Sequence, residues 1–146
     1  LTDTPPSHVE RTGRVVVGSK AFTEQEILGE IMALLLESHT DLHVERRLNL
    51  GGTMICFEAL RAGDLDVYAE YTGTALVNIL ARPVIADSDA SYKAVVAAFR
   101  EEYDLVWLEP FGFNNTYTLT MRRTHAHRLG IHTVSDLAGY LSRPAE

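Results

Sequence analysis

Cysteine is nearly absent, with Cys56 the only one in the chain. An intrachain disulfide is therefore excluded. A lone cysteine inside a helical pattern is expected to be a small buried apolar residue. Basic residues are also scarce, 13 Lys and Arg against 20 Asp and Glu, and the net charge is −7. They are scattered, and the pairs Arg46-Arg47 and Arg122-Arg123 are too short to make the basic stripe that nucleic acid requires. No run approaches the roughly 18 apolar residues of a membrane-spanning helix. No basic-then-apolar leader opens the chain, so an exported protein would be seen here in its mature form. Internal repeats and low-complexity tracts are missing as well.

Hydrophobic residues make up 46% of the chain, enough for a real core, and 146 residues suit one domain or one and a fraction. Leu1 to Gly13 is polar, contains Pro5-Pro6 and reads as a tail or linker. The β-branched run Arg14 to Gly18 predicts a buried strand. Thr23 and Glu26 have the spacing of a capping box, and Ile27, Leu28, Ile31, Leu34 and Leu35 predict one apolar helix face. His43 to Asn49 predicts a second strand. Gly51-Gly52-Thr53 opens a helix that runs to about Ala62 and stops at Gly63. A third strand is expected over Asp66 to Ala69, then helices over Thr72 to Leu80 and Ser91 to Tyr103. Leu105 to Leu108 and Thr116 to Arg122 read as strands, His125 to Leu129 and Val134 to Leu141 as short helices. Strand, helix, strand, helix, strand is the order of an α/β fold with a parallel sheet.

In such sheets ligands bind where the carboxyl ends of strands lead into helices. The corresponding loops here are Gly18 to Thr23, Leu50 to Thr53 and Glu70 to Thr74, all rich in Gly, Ser or Thr. Gly51-Gly52-Thr53 is either a tight turn or a set of backbone donors for a ligand carboxylate. A phosphate loop would need more glycine and a Lys beside Ser or Thr, which is missing. Tyr71, at a strand end before a helix, is either an ordinary half-buried tyrosine or a ring face for a cation, and the same two readings apply to Tyr117. His125 and His127 point apart on the predicted helix and read as surface residues. Asp64 and Asp66 mark a turn. No nucleophile has an evident base and orienting partner nearby, which is weak evidence against an enzyme.

Taken in order, the motifs are more specific than their pieces. They are Gly18-Ser-Lys-Ala-Phe-Thr-Glu-Gln25, Ile27-Leu-Gly29, Asn49-Leu-Gly-Gly-Thr53, Glu58-Ala-Leu60, Gly63-Asp64 and Glu70-Tyr-Thr-Gly-Thr-Ala75. Phe113-Asn-Asn-Thr-Tyr117 and Thr133-Val-Ser-Asp-Leu-Ala138 follow. The chain from Arg14 to Ala138 resembles the binding proteins of the ABC importers for glycine betaine, choline and carnitine.

The resemblance implies a periplasmic-binding-protein-like α/β lobe with a mostly parallel sheet flanked by helices, and an incomplete second lobe. It implies two lobes that close like a hinge. Residues 1–13 would be the tail, 14–108 the first ligand-binding lobe, and 109–146 the crossover and start of the second. It further implies that Tyr71 and Tyr117 supply rings to a quaternary ammonium, and that Lys20, Thr74 and Asn115 meet the polar end. The Gly52-Thr53 turn would assist them, and Met54 would tune head-group choice. No cofactor, metal or nucleic acid is implied. The implied partners are a small zwitterion or quaternary ammonium and an importer permease. The implied location is periplasmic or otherwise extracytoplasmic, with lipid anchoring and fusion to the permease as alternatives. The departure is length, because family members run nearly twice as long. Further cage aromatics and the return strands of the first lobe would then lie beyond Glu146, and an exposed sheet edge would favour self-association or strand swapping. A lobe for another trimethylated or amino-acid-like ligand, and an enzyme or sensing domain on the same fold, are the competing readings.

Overall fold

The computed structural model describes residues 13–143. The chain divides into two compact units, the first ending at Glu109 and the second beginning at Pro110. The polar stretch expected to be a tail lies, through residue 12, outside the described residues.

In the first unit, strands β1 (Arg14–Gly18) and β2 (His43–Arg47) pair in parallel, with Arg14 opposite His43 and Gly18 opposite Arg47. Helix α1 (Thr23–His39) makes the crossover between them, and α2 (Thr53–Ala62) follows β2. Successive side chains of a strand point to opposite faces. Val16 accordingly packs with Cys56 and Leu65, while Val17 packs with Ala33 and Val44. Cys56 is buried, as expected. Gly63 ends α2 with φ at +75°, a left-handed conformation that glycine adopts without strain. Helix α3 (Thr72–Thr74) continues as a π-helical stretch, Ala75–Ile79, where one predicted helix ran to Leu80. With α2 and α4 (Ser88–Tyr103) it encloses the aromatic core. There Phe57 meets Tyr103 edge-on at 5.0 Å, and Phe99 meets Trp107 at 5.3 Å.

Several expectations are corrected. The third strand is a single parallel bridge, Val17 to Val67, on the other edge of β1. The Asp66 carboxylate accepts the Val16 N–H at 2.7 Å, so a side chain takes the place of a ladder carbonyl. Leu105 to Leu108 and Thr116 to Arg122 form no strand, since neither joins a ladder with another described segment. Helix α4 starts three residues early because the Asp87 side chain accepts from Ala90 N at 2.8 Å and caps it. The capping box expected at Thr23 is absent, since the helix begins at that residue and Phe22 precedes it.

The buried face of α1 is also rotated from the expected one. Gln25, Leu28, Gly29 and Ala33 are buried, while Ile27, Ile31, Leu34 and Leu35 are exposed. Small residues let the helix lie close to the sheet. A Cβ on Gly29 would come within 2.6 Å of Leu48 Cδ2.

The second unit carries α5 (Arg123–Leu129), ended by left-handed Gly130, and α6 (Val134–Leu141). A full capping box opens α6, with Thr133 accepting from Asp136 N at 3.1 Å and the Asp136 carboxylate accepting from Thr133 N at 2.8 Å.

Candidate ligand-binding site

The first unit brings three loops together at the carboxyl end of its sheet. Past β1, Ser19 N–H donates to Arg47 O at 3.2 Å, and Ser19 Oγ accepts from Asn49 N at 2.9 Å. Ala21 N–H then donates to Gly51 O at 2.8 Å. These bonds continue the pairing beyond the strands and hold the loop after β1 against the loop before α2. Gly51 is the glycine this junction requires, because its φ is +133° and a Cβ would meet Ile55. At Gly52, the N-cap of α2, a Cβ would meet nothing within 4 Å.

Lys20 turns inward from this junction. Its Nζ donates to Thr53 Oγ1 at 3.0 Å and forms an ion pair with Glu70 Oε1. The same ammonium lies 5.0 Å from the centroid of the Tyr71 ring, within cation–π range. Glu70 is held by two further donors, Tyr71 N at 2.8 Å and the Tyr68 hydroxyl at 3.1 Å. Burial, reinforced by the Glu70 carboxylate, pushes the Tyr68 phenol well up.

Tyr71 is fixed at both ends. Its ring stacks with Phe22 at 6.3 Å and 21°, and its hydroxyl donates to Glu24 Oε1 at 2.5 Å. Burial pushes its pKa up to about 12, with Glu24 adding to the rise and the Gln25 amide opposing it. Gln25 is fully buried and its Oε1 accepts from Lys20 N at 3.5 Å.

Of the residues expected in the site, Lys20, Thr53 and Tyr71 are brought together by these contacts. Gly52 and Met54 flank Thr53 in the first turn of α2, with Met54 half exposed. Thr74 follows Tyr71 within α3. Asn115 and Tyr117 belong to the second unit, in a stretch with neither helix nor strand, and the Tyr117 side chain is fully exposed. Sequence reasoning missed Phe22, Glu24 and Glu70. All three stand inside motifs already singled out. The available signal was that a lysine entering a rim of small residues needs a buried acid.

Among the described residues no group of three or more His, Cys, Asp or Glu could hold a metal ion. No helix among them is long and apolar enough to cross a membrane. The arrangement offers a cation-accepting ring, one buried positive charge, one buried negative charge and a helix start, and it suits binding.

The same chain matches the family model described as the substrate binding domain of the ABC-type glycine betaine transport system over residues 13–146. It is 43% identical over 125 residues to the ergothioneine transport permease/ergothioneine binding protein EgtU of Helicobacter pylori, covering 85% of this chain and 22% of that one. It is 38% identical over 122 residues to the carnitine transport binding protein OpuCC of Listeria monocytogenes, covering 83% and 40%. The solved structure of apo YehZ from Escherichia coli superposes with a TM-score of 0.68 at 34% identity, covering 88% of this chain and 46% of that one. The chain thus spans less than half the length of these relatives. With its α/β fold, its rim and this match in hand, the chain belongs to the family of substrate-binding domains of ABC-type glycine betaine transport systems.

Proposed function

We propose that this domain captures a small zwitterion carrying a quaternary ammonium and a carboxylate, as the extracytoplasmic receptor part of an ABC importer. The observation that carries the reading is the Tyr71 ring at the sheet rim with an ammonium, that of Lys20, 5.0 Å from its centroid. A quaternary ammonium has no N–H to donate and is weakly hydrated, so ring faces suit it better than hydrogen-bond acceptors do.

In this reading Tyr71 holds the cation, and Lys20 and Thr74 orient the polar end. The Gly52-Thr53 turn offers N–H groups that the first turn of α2 does not use. Met54, half exposed beside them, tunes head-group choice. Each ring contributes on the order of 1–2 kcal/mol. One ring alone falls short of millimolar affinity, so the carboxylate contacts must supply the rest. The carnitine-binding and ergothioneine-binding relatives favour the same class, since both ligands join a trimethylammonium to a carboxylate. The partner would be an importer permease.

Titration with glycine betaine, carnitine, ergothioneine and choline, followed by NMR chemical shifts, tests this. The expected result is saturable binding of at least one trimethylated zwitterion, with shifts at Lys20, Thr53 and Tyr71. Binding of an uncharged solute instead, with none of the four bound, would overturn it.

A further inference from the structure

Glu70 lies in none of the expected contacts, yet the polar side chains of the rim converge on it. Its side chain is 6% exposed and that of Lys20 is 4% exposed, so the two charges face each other almost out of water. One Glu70 oxygen takes both the Lys20 ammonium and the Tyr71 N–H, and the other takes the Tyr68 hydroxyl. Lys20 in turn lies over the Tyr71 ring. The ring face offered to a ligand cation is therefore already occupied by an internal one, and that internal cation is matched by an internal carboxylate.

Taking as given the zwitterion reading of the preceding subsection, we infer that Glu70 is the countercharge for the ligand's quaternary ammonium. The Lys20–Glu70 pair then acts as a filter that admits ligands carrying both charges. A buried charge that loses its partner is strongly destabilised. A ligand with only a cation competes with Lys20 for Glu70 and the ring, and leaves the lysine unpaired. A ligand with only a carboxylate draws Lys20 away and leaves Glu70 unpaired. A zwitterion supplies both replacements at once, its carboxylate to Lys20 and its ammonium to Glu70 and Tyr71. The donors from Tyr71 N and the Tyr68 hydroxyl keep the Glu70 carboxylate in place while Lys20 changes partner.

Three probes separate the charges: glycine betaine, choline, and 3,3-dimethylbutanoate, in which carbon replaces the betaine nitrogen. Their affinities are measured by NMR titration on the wild-type chain and on Glu70→Gln. The inference expects Glu70→Gln to lower the preference for glycine betaine over 3,3-dimethylbutanoate by about tenfold, because the carboxylate contact with Lys20 survives and the ammonium contact does not. Glu70→Asp, which keeps the charge, should retain most of the preference. If Glu70→Gln fails to fold, the double variant Lys20→Gln with Glu70→Gln removes both charges together. It should bring glycine betaine and choline to within about threefold of each other. A wild-type preference that survives these variants, or an equal loss for all probes in Glu70→Gln, overturns the inference while leaving the binding function intact. A wild-type chain that binds no zwitterion overturns both.

Discussion

Tyr71 shows how much a single side chain is made to do. Phe22 fixes one side of its ring, Lys20 lies over it, and Glu24 accepts from its hydroxyl. Tyr71→Phe keeps the ring and removes only the tether to Glu24. We expect it to weaken binding less than Tyr71→Ala, which a parallel titration of the two variants reads directly. The raised pKa gives a separate prediction. In the unfolded chain the phenol ionises near its ordinary value of about 10, and in the folded chain at about 12. The unfolded state therefore loses this proton first as pH rises, so the contribution of Tyr71 to stability is complete below pH ~10 and is lost between ~10 and ~12. Denaturation across that window should show a shallower fall in Tyr71→Phe than in wild type, and an identical fall would contradict the assignment. Lys20, Thr53 and Tyr71 were legible because each stands where a strand end meets a helix start. Glu70 was not, because its pairing joins residues 50 apart in the chain through the register of a bridge that sequence does not reveal.

Among the elements, α1 carries the sharpest lesson. Counting large apolar residues placed its buried face on Ile27, Leu28, Ile31, Leu34 and Leu35, of which only Leu28 is buried, beside Gln25, Gly29 and Ala33. Helical period was correct and the phase was not, because close approach to a strand is made by small residues rather than large ones. Two members of the expected stripe therefore differ, Leu28 being buried and Ile31 exposed. Leu28→Ala should cost about 2–5 kcal/mol, as for a buried leucine, while Ile31→Ala should stay within about 0.5 kcal/mol. Urea unfolding of both variants checks the ordering. The predicted strands at Leu105 to Leu108 and Thr116 to Arg122 failed for a different reason, since an apolar β-branched run becomes a strand only where a partner backbone runs alongside it. Thr133 and Asp136 were quoted only as part of a family motif, yet together they form the capping box of α6. Hydrogen bonds from the His132 and Thr133 backbone and the Thr133 hydroxyl hold the Asp136 carboxyl below its usual value of 3.8. The stability this cap contributes is complete above the ordinary carboxylate pKa and is lost as pH falls from there through the lowered folded value. The amide shifts of His132 and Thr133 should move as Asp136 protonates, and in Asp136→Asn they should not.

At the scale of the whole molecule, the alternation of strand and helix was enough to give the parallel α/β class, and the ordered motifs were enough to give the family. The number of ladder strands was not legible, because Asp66 replaces a backbone acceptor with its side chain. Among the described residues the outer edge of β2 has no strand beside it, although Glu45, Arg46 and Arg47 charge it. Pairing of copies through that edge should raise the mass seen by sedimentation as concentration increases, and a constant monomer mass would contradict it. At the rim, the proposed ligand cation rests on the Tyr71 ring beside a lysine that would meet the carboxylate only when Glu70 is compensated. The most direct test is the affinity for glycine betaine of wild type beside that of Tyr71→Ala, followed at the Lys20 and Thr53 amides. Saturable binding is expected in wild type and a loss of about five- to thirtyfold in the variant, the equivalent of one desolvated cation–π contact of about 1–2 kcal/mol. Equal affinity in the two would contradict it.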